Sequence, residues 1–294
     1  MIQNQKISNW YDKNYKVVLL IPVIIVILSL IYLVGFYAKT GDIMNKDVSL
    51  KGGTVITING DIDTTALESE LPKYFSDVGF RKLTDVSTGK RLALIIETSA
   101  ESSDIKNRII ELGINLTDEN SSTEFTGPSL SNSFYKQLMY AIIISFILMS
   151  CVIFFLFKTF TPSIAVVFAA FSDIVIPLAV LDIFGVKISA AGIAAFLMLI
   201  GYSVDTDILL TTRALKKKEG SLNTRIYGAF KTGILMTGTA LAAVIPAFFF
   251  SSSLPESFKQ IFLILALGLL VDIMSTWMTN ASIIKWYCAK KDIK

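Results

Sequence analysis

Residues 188–210 read ISAAGIAAFLMLIGYSVDTDILL, a run of 23 residues that is apolar except near its end, where Asp205 and Asp207 appear. About twenty such residues cross the roughly 30 Å hydrocarbon core of a bilayer as a helix. A charged side chain deep in that core costs roughly 2.5–3.5 kcal/mol on insertion scales, so it faces a cavity or a partner rather than lipid. The run therefore predicts both a membrane helix and a buried polar site on it.

Working outward, five more runs have the same length and character: 17–37, 135–157, 164–184, 226–250 and 258–284. Of the 294 residues 53% are hydrophobic and only 17% charged, a balance of membrane proteins. The first run is longer than the apolar part of a signal peptide and Ala38-Lys39-Thr40 is a poor cleavage site, so it reads as a retained anchor. Lys6, Lys13 and Lys16 precede it. Arg213, Lys216, Lys217, Lys218 and Arg225 fill the connection between the fourth and fifth runs, and Lys285, Lys290, Lys291 and Lys294 close the chain. With six spans all of these fall on one side, which the positive-inside rule makes the cytoplasm of a plasma-membrane protein.

The segment 38–134 is then extracytoplasmic, with ten basic against about fifteen acidic residues. Its pattern changes to short alternating stretches. Residues 53–59 (GTVITIN) read as a strand, a helix capped within Asp63-Thr64-Thr65 runs to about Phe75, 81–86 and 92–98 form a hairpin around Ser87-Thr88-Gly89-Lys90, a second helix capped by Ser103 or Asp104 runs to about Leu112, and 122–126 form a last strand. The order β-α-β-β-α-β predicts a ferredoxin-like α+β domain inserted after helix 1. The predicted organisation is 1–37, cytoplasmic N-terminus and helix 1; 38–134, external domain; 135–284, helices 2–6; and 285–294, a basic tail.

Candidate chemistry sits inside the spans. There is no histidine, which leaves carboxylates to carry any proton. Asp205 and Asp207 lie about 200° apart around a helix and cannot both face one neighbour. Lys231, at a similar depth in the fifth span, is a candidate ion-pair partner for one of them or a snorkelling interfacial lysine. Asp173 and Asp272 lie near the middles of the third and sixth spans, while Asp182 falls at an interface. For each acid the alternative to a proton or cation role is a structural hydrogen bond to a neighbouring helix. Gly228, Gly233 and Gly238 recur every five residues along the fifth span, suited to close helix packing or a sliding interface. Cys151 and Cys288 suggest neither a disulfide nor a metal site. No nucleophile–base pair or phosphate loop points to an enzyme, and nothing points to a cofactor or to nucleic acid.

Several stretches resemble the SecD/SecF family of protein-export membrane proteins, on its SecF-type side and in its archaeal-type variant. Ser49-Leu50-Lys51-Gly52-Gly53-Thr54 is similar to the family's D-F-x-G-G-T, and Gly201-Tyr202-Ser203-Val204-Asp205-Thr206-Asp207 is similar to its G-Y-S-V-N-D-T. Ser172-Asp173-Ile174 stands at its H-D-V, and residues 231–241 (KTGILMTGTAL) at its R-T-L-I-T-S-G-T-T-L. In a gapless comparison the family's aspartate falls on Thr206, between Asp205 and Asp207. The resemblance implies the fold of the resistance–nodulation–division superfamily and a SecD-like partner subunit beside the Sec translocon. It also implies a proton-driven action on an exported, unfolded polypeptide at the lipid membrane, with Asp205 or Asp207 as carrier. A small-molecule or lipid exporter of that superfamily, or a non-transporting assembly scaffold, is the alternative.

Overall fold

The computed structural model describes residues 2–60, 64–85, 88–216, 220–251 and 256–291. The expected cap Asp63, the turn residue Ser87, and Lys217, Lys218 and Lys294 lie outside the described residues.

Helix α1 (Ile2–Thr40) runs on through Pro22 and ends at Gly41, whose φ of 77° breaks it. A single turn, α2 (Val48–Lys51), leads into an α+β unit. That unit comprises β1 (Gly53–Asn59), α3 (Thr65–Tyr74), β2 (Gly79–Thr84), β3 (Arg91–Thr98), α4 (Ser102–Glu111) and β4 (Ser121–Thr126). The four strands form one antiparallel sheet in the order β2-β3-β1-β4. Ile56 and Ile96 sit opposite each other in the register, and Ile56, Ile58, Leu94 and Ile96 meet Leu67 and Leu71 of α3 and Ile105 and Ile109 of α4 in a closed core. Each element lies within two residues of its expected bounds. Thr64, one of the expected cap residues, precedes α3, whereas α4 is preceded by Glu101 and not by Ser103 or Asp104; neither cap makes a side-chain capping bond.

Gly52 and Gly53 join α2 to β1 at φ of 87° and 138°, conformations that side chains resist. A Cβ at Gly52 would meet Pro128 and one at Gly53 the backbone of Thr98 and Ser99, so the double glycine lets three chain segments touch.

The remaining helices are α5 (Pro128–Phe157), α6 (Phe160–Ile183), α7 (Ala190–Lys216), α8 (Leu222–Phe250), α9 (Glu256–Met274) and α10 (Ala281–Lys290). A π-helical turn, Ser275–Asn280, joins α9 to α10, so Ser257–Lys290 is one continuous span. Among the described residues six helices are long and apolar enough to cross a membrane, as the sequence predicts. The sixth continues past Ile284: Lys285 and Cys288, expected in a basic tail, are buried helix residues, and Lys285 Nζ donates to Asn223 Oδ1 at 3.1 Å. Lys158, at φ 53°, ends α5 and turns the chain into α6.

Helix α6 is the centre of the body, with 67% of its apolar window buried, while α5 and α8 bury only 11% and so offer their faces to lipid or to another chain. Leu178 and Leu181 of α6, Phe196 and Leu199 of α7, and Ile264 of α9 form the main membrane core. Gly268 of α9 faces Leu199 so closely that a Cβ would overlap it, and Gly233 of α8 likewise receives the Trp277 ring. Gly238 has open space beside it, so of the repeated glycines Gly233 is a contact point and Gly238 is not.

Candidate functional site

Four helices converge on a polar cluster closed to solvent. Asp173 of α6, Asp207 of α7 and Asp272 of α9 are each at most 1% exposed. Spacing explains how one helix supplies several members. Ser203, Thr206 and Asp207 share a face of α7, three and four residues apart. Asp272, Thr276 and Asn280 follow at intervals of four, and the π turn carries Ser275, Thr276 and Asn280 into the same space. Such turns widen a helix locally and recur at functional sites.

Asp272 is ringed by hydroxyls. Thr206 Oγ1 lies 3.0 and 3.3 Å from its two oxygens, Thr276 Oγ1 donates at 3.2 Å, and Thr237 Oγ1 of α8 donates at 3.3 Å. Asp173 accepts from Ser203 and, at 2.6 Å, from Ser275, whose hydroxyl is also 3.2 Å from the carbonyl of Asp272. Asp207 Oδ1 accepts from Asn280 Nδ2 at 2.7 Å, while Asp207 Oδ2 is buried without a hydrogen-bond partner. All donors to these three carboxylates are hydroxyls and one amide. Among the described residues no lysine or arginine bonds to them.

The sequence-predicted residues therefore separate into two groups. Asp173, Asp207 and Asp272 come together, with Ser203 of the Gly-Tyr-Ser run. Asp205 is exposed on the opposite side of α7, as the 200° offset between positions 205 and 207 requires. Lys231 is exposed on α8, beside an open groove formed with Leu235, Gly238 and Ala242. The ion pair anticipated between Lys231 and a fourth-span aspartate is absent, because Asp207 turns toward the sixth span and Lys231 turns outward. Gly201 is exposed, and Tyr202 donates its hydroxyl to the Met236 carbonyl at 3.0 Å, joining α7 to α8. Arg213 fixes the far ends of the same two helices, with Nη1 donating to Gly228 O at 2.6 Å and Thr232 Oγ1 at 3.0 Å. Gly52 and Gly53 lie outside the cluster, at the junction described above. Asp182, expected at an interface, is 4% exposed and its Oδ1 accepts from the Asn45 amide at 2.9 Å.

Sequence reasoning missed Ser275, Thr276 and Asn280. Their signal was the polar residues of Asp272-Ile-Met-Ser-Thr-Trp-Met-Thr-Asn280, three to five residues apart in an otherwise apolar run.

Comparison with known proteins adds to this geometry. Residues 110–290 match the family described as "Protein export membrane protein SecD/SecF, C-terminal". The protein-export membrane protein SecF of Methanolacinia petrolearia is 36% identical over 284 residues, covering 96% of both chains. SecF of Pyrococcus furiosus is 33% identical over 292 residues, covering 99% of this chain and 97% of that one. The crystal structure of SecDF, a translocon-associated membrane protein from Thermus thermophilus, superposes with a TM-score of 0.72 at 15% identity. It covers 94% of this chain, which spans 38% of that protein's length.

Proposed function

Because this chain belongs to the SecD/SecF family of protein-export membrane proteins, we propose that it acts as the SecF-type subunit of a proton-driven export device. In this reading it pairs with a SecD-like chain beside the Sec translocon, and protons, or another cation, pass through Asp173, Asp207 and Asp272 to promote movement of exported polypeptide.

The observation that carries the reading is a cluster of three enclosed carboxylates whose donors are all neutral. An ionised carboxylate in a dry site without a counter-charge is strongly disfavoured, so such a cluster calls for a proton or a bound cation. A group that must gain and lose that neutralising charge is suited to carry it across the membrane. The ring of threonine and serine hydroxyls supports this role, since a hydroxyl donates to an ionised carboxylate and accepts from a protonated one.

Pairing has separate support. Asp205 and Lys231 are exposed on membrane helices, where lipid would be an expensive neighbour and a polar partner helix a suitable one. The SecDF structure is more than twice as long as the part this chain matches, which leaves the remainder for a second chain. The sheet order β2-β3-β1-β4 with two helices supports a ferredoxin-like unit between the first two spans. The basic residues Arg213, Lys216, Arg225, Lys290 and Lys291 at the opposite helix ends support an extracytoplasmic position for it.

The test is proton flux in vesicles containing this chain and its SecD-like partner, with export measured alongside. Loss of both in Asp207→Asn supports the reading. Flux unchanged in Asp207→Asn, Asp173→Asn and Asp272→Asn together would make the cluster structural and the chain a scaffold.

A further inference from the structure

Residues 45–49, just before the α+β unit, are bonded to the ends of two carboxylate-bearing helices, α6 and α7, and the third, α9, holds the loop between those two. At α6, Asp182 Oδ1 accepts from Asn45 N. At the loop entering α7, Ile188 N donates to Asn45 O at 2.6 Å and Asp47 N donates to Ile188 O at 3.0 Å. At α7 itself, Ala190 N, the first amide of the helix, donates to Ser49 Oγ at 3.1 Å. Helix α9 holds the other side of the same loop: Gln260 Oε1 accepts from Ser189 N at 2.8 Å, and its Nε2 donates to Lys187 O.

Ser49 has one arrangement available. Its hydroxyl hydrogen goes to Asp47 Oδ1 at 2.5 Å, and its backbone N–H goes to the same oxygen at 2.8 Å. A lone pair therefore remains directed at Ala190. Asp47 is half-buried, and that burial raises its carboxyl from its ordinary value even against the bonds from Ser49. From Ala190 to Asp207 α7 is one unbroken helix of about 26 Å at 1.5 Å per residue, stiff along its axis. In the other direction only Leu50, Lys51 and the double glycine separate Ser49 from Thr54 of the sheet.

We infer that the Asp47–Ser49 pair is the joint through which α7 and the α+β unit move together, and that both are positioning residues for the transport cycle. This rests on the function proposed above. Asp47 orients Ser49, Ser49 holds the first amide of α7, and a displacement of α7 at Asp207 reaches β1 without an intervening flexible loop.

The experiment uses the full chain reconstituted with its SecD-like partner. Proton flux and export are measured in the same vesicles, and hydrogen exchange is followed over residues 47–59. Ser49→Ala is expected to leave proton flux intact and lower export per proton about fivefold, the factor one ordinary hydrogen bond makes in an equilibrium. Ser49→Thr, which keeps the hydroxyl, restores it. Asp207→Asn is expected to change exchange over 47–59 when Ser49 is present and not in the Ser49→Ala background. Export per proton unchanged in Ser49→Ala overturns the joint, as does an exchange response to Asp207→Asn in both backgrounds or in neither. If Asp207→Asn leaves proton flux unaltered, the proton reading fails on its own, and the exchange comparison still decides the joint.

Discussion

Asn280 donates its side-chain amide to Asp207 Oδ1 at 2.7 Å, and both Asp207 Oδ2 and Asn280 Oδ1 are buried with no hydrogen-bond partner. The pair spans α7 and the π turn, so the widened backbone of the sixth span is what brings a donor to the fourth. Buried polar atoms are nearly always paired, and an unpaired carboxylate oxygen is a place for an added proton or cation. Asp207→Asn is expected to cut proton flux at least about tenfold, a barrier change of about 1.4 kcal/mol. Asp205→Asn, two residues away on the exposed face, is expected to stay within about twofold when flux is measured alone; equal losses in both would remove the distinction between the faces.

The hydroxyl ring makes its own prediction. Thr206→Val keeps the volume of the side chain but strips Asp272 of its 3.0 Å bond, leaving a buried acceptor less well satisfied at a cost of about 1–3 kcal/mol. Both thermal stability and flux should fall. Thr206→Ser, which retains the hydroxyl, should recover flux more fully than stability, because the methyl group it lacks contributes packing alone.

Helix contacts at glycine can be ranked without reference to function. Gly268→Ala drives a methyl group into Leu199, and Gly233→Ala drives one into Trp277, whereas Gly238→Ala meets open space. Overpacking a tight contact costs about 1–3 kcal/mol. Melting temperatures in detergent should therefore fall for the first two and hold for the third. An equal drop in all three would point to helix flexibility instead of packing.

Acid should weaken the α+β unit through Asp77. Burial pushes the Asp77 carboxyl up, but the bonds from Ser99 N at 2.7 Å and Thr98 Oγ1 at 3.0 Å outweigh it, so the group lies below its ordinary 3.8. A carboxyl held below its unfolded value binds fewer protons when folded, so its contribution is complete above the unfolded value and is lost as pH falls through the lower folded one. Protection of the β3 amides, referred to the intrinsic exchange rate at each pH, should fall as the pH drops below about 5, and Asp77→Asn should flatten that dependence. A variant with the full wild-type acid response would assign the effect to other carboxyls.

Much of this was readable in advance where one periodicity dominates. The strand Gly53–Asn59 is bounded as its alternation predicts, and the apolar runs became six helices. The acids Asp173, Asp207 and Asp272 were also visible, since each interrupts an apolar run, although the sequence did not say which of Asp205 and Asp207 is buried. What hydropathy could not convey is rotation about the helix axis. Lys231 and Asp207 lie at similar depth, yet contact requires facing sides, and packing of Gly233 on Trp277 turns α8 so that Lys231 points away. Ser275, Thr276 and Asn280 were hidden for a related reason. Small polar residues are common in membrane helices as local hydrogen-bond donors, and a π turn alters the phase that would have grouped them with Asp272.

Thr206 has a single hydroxyl hydrogen to donate, and four oxygens lie within 3.4 Å of its Oγ1: the carbonyl of Ser203, both oxygens of Asp272 and the hydroxyl of Thr276. That hydrogen goes to one of them at any instant, while a lone pair of Thr206 is free to accept from Thr276. The heavy-atom frame is therefore compatible with several hydrogen patterns of comparable energy, a degeneracy that belongs to the light atoms alone. Charge on Asp272 selects among them by rotation of one C–O bond, so this part of the cluster can respond while the helices stand still.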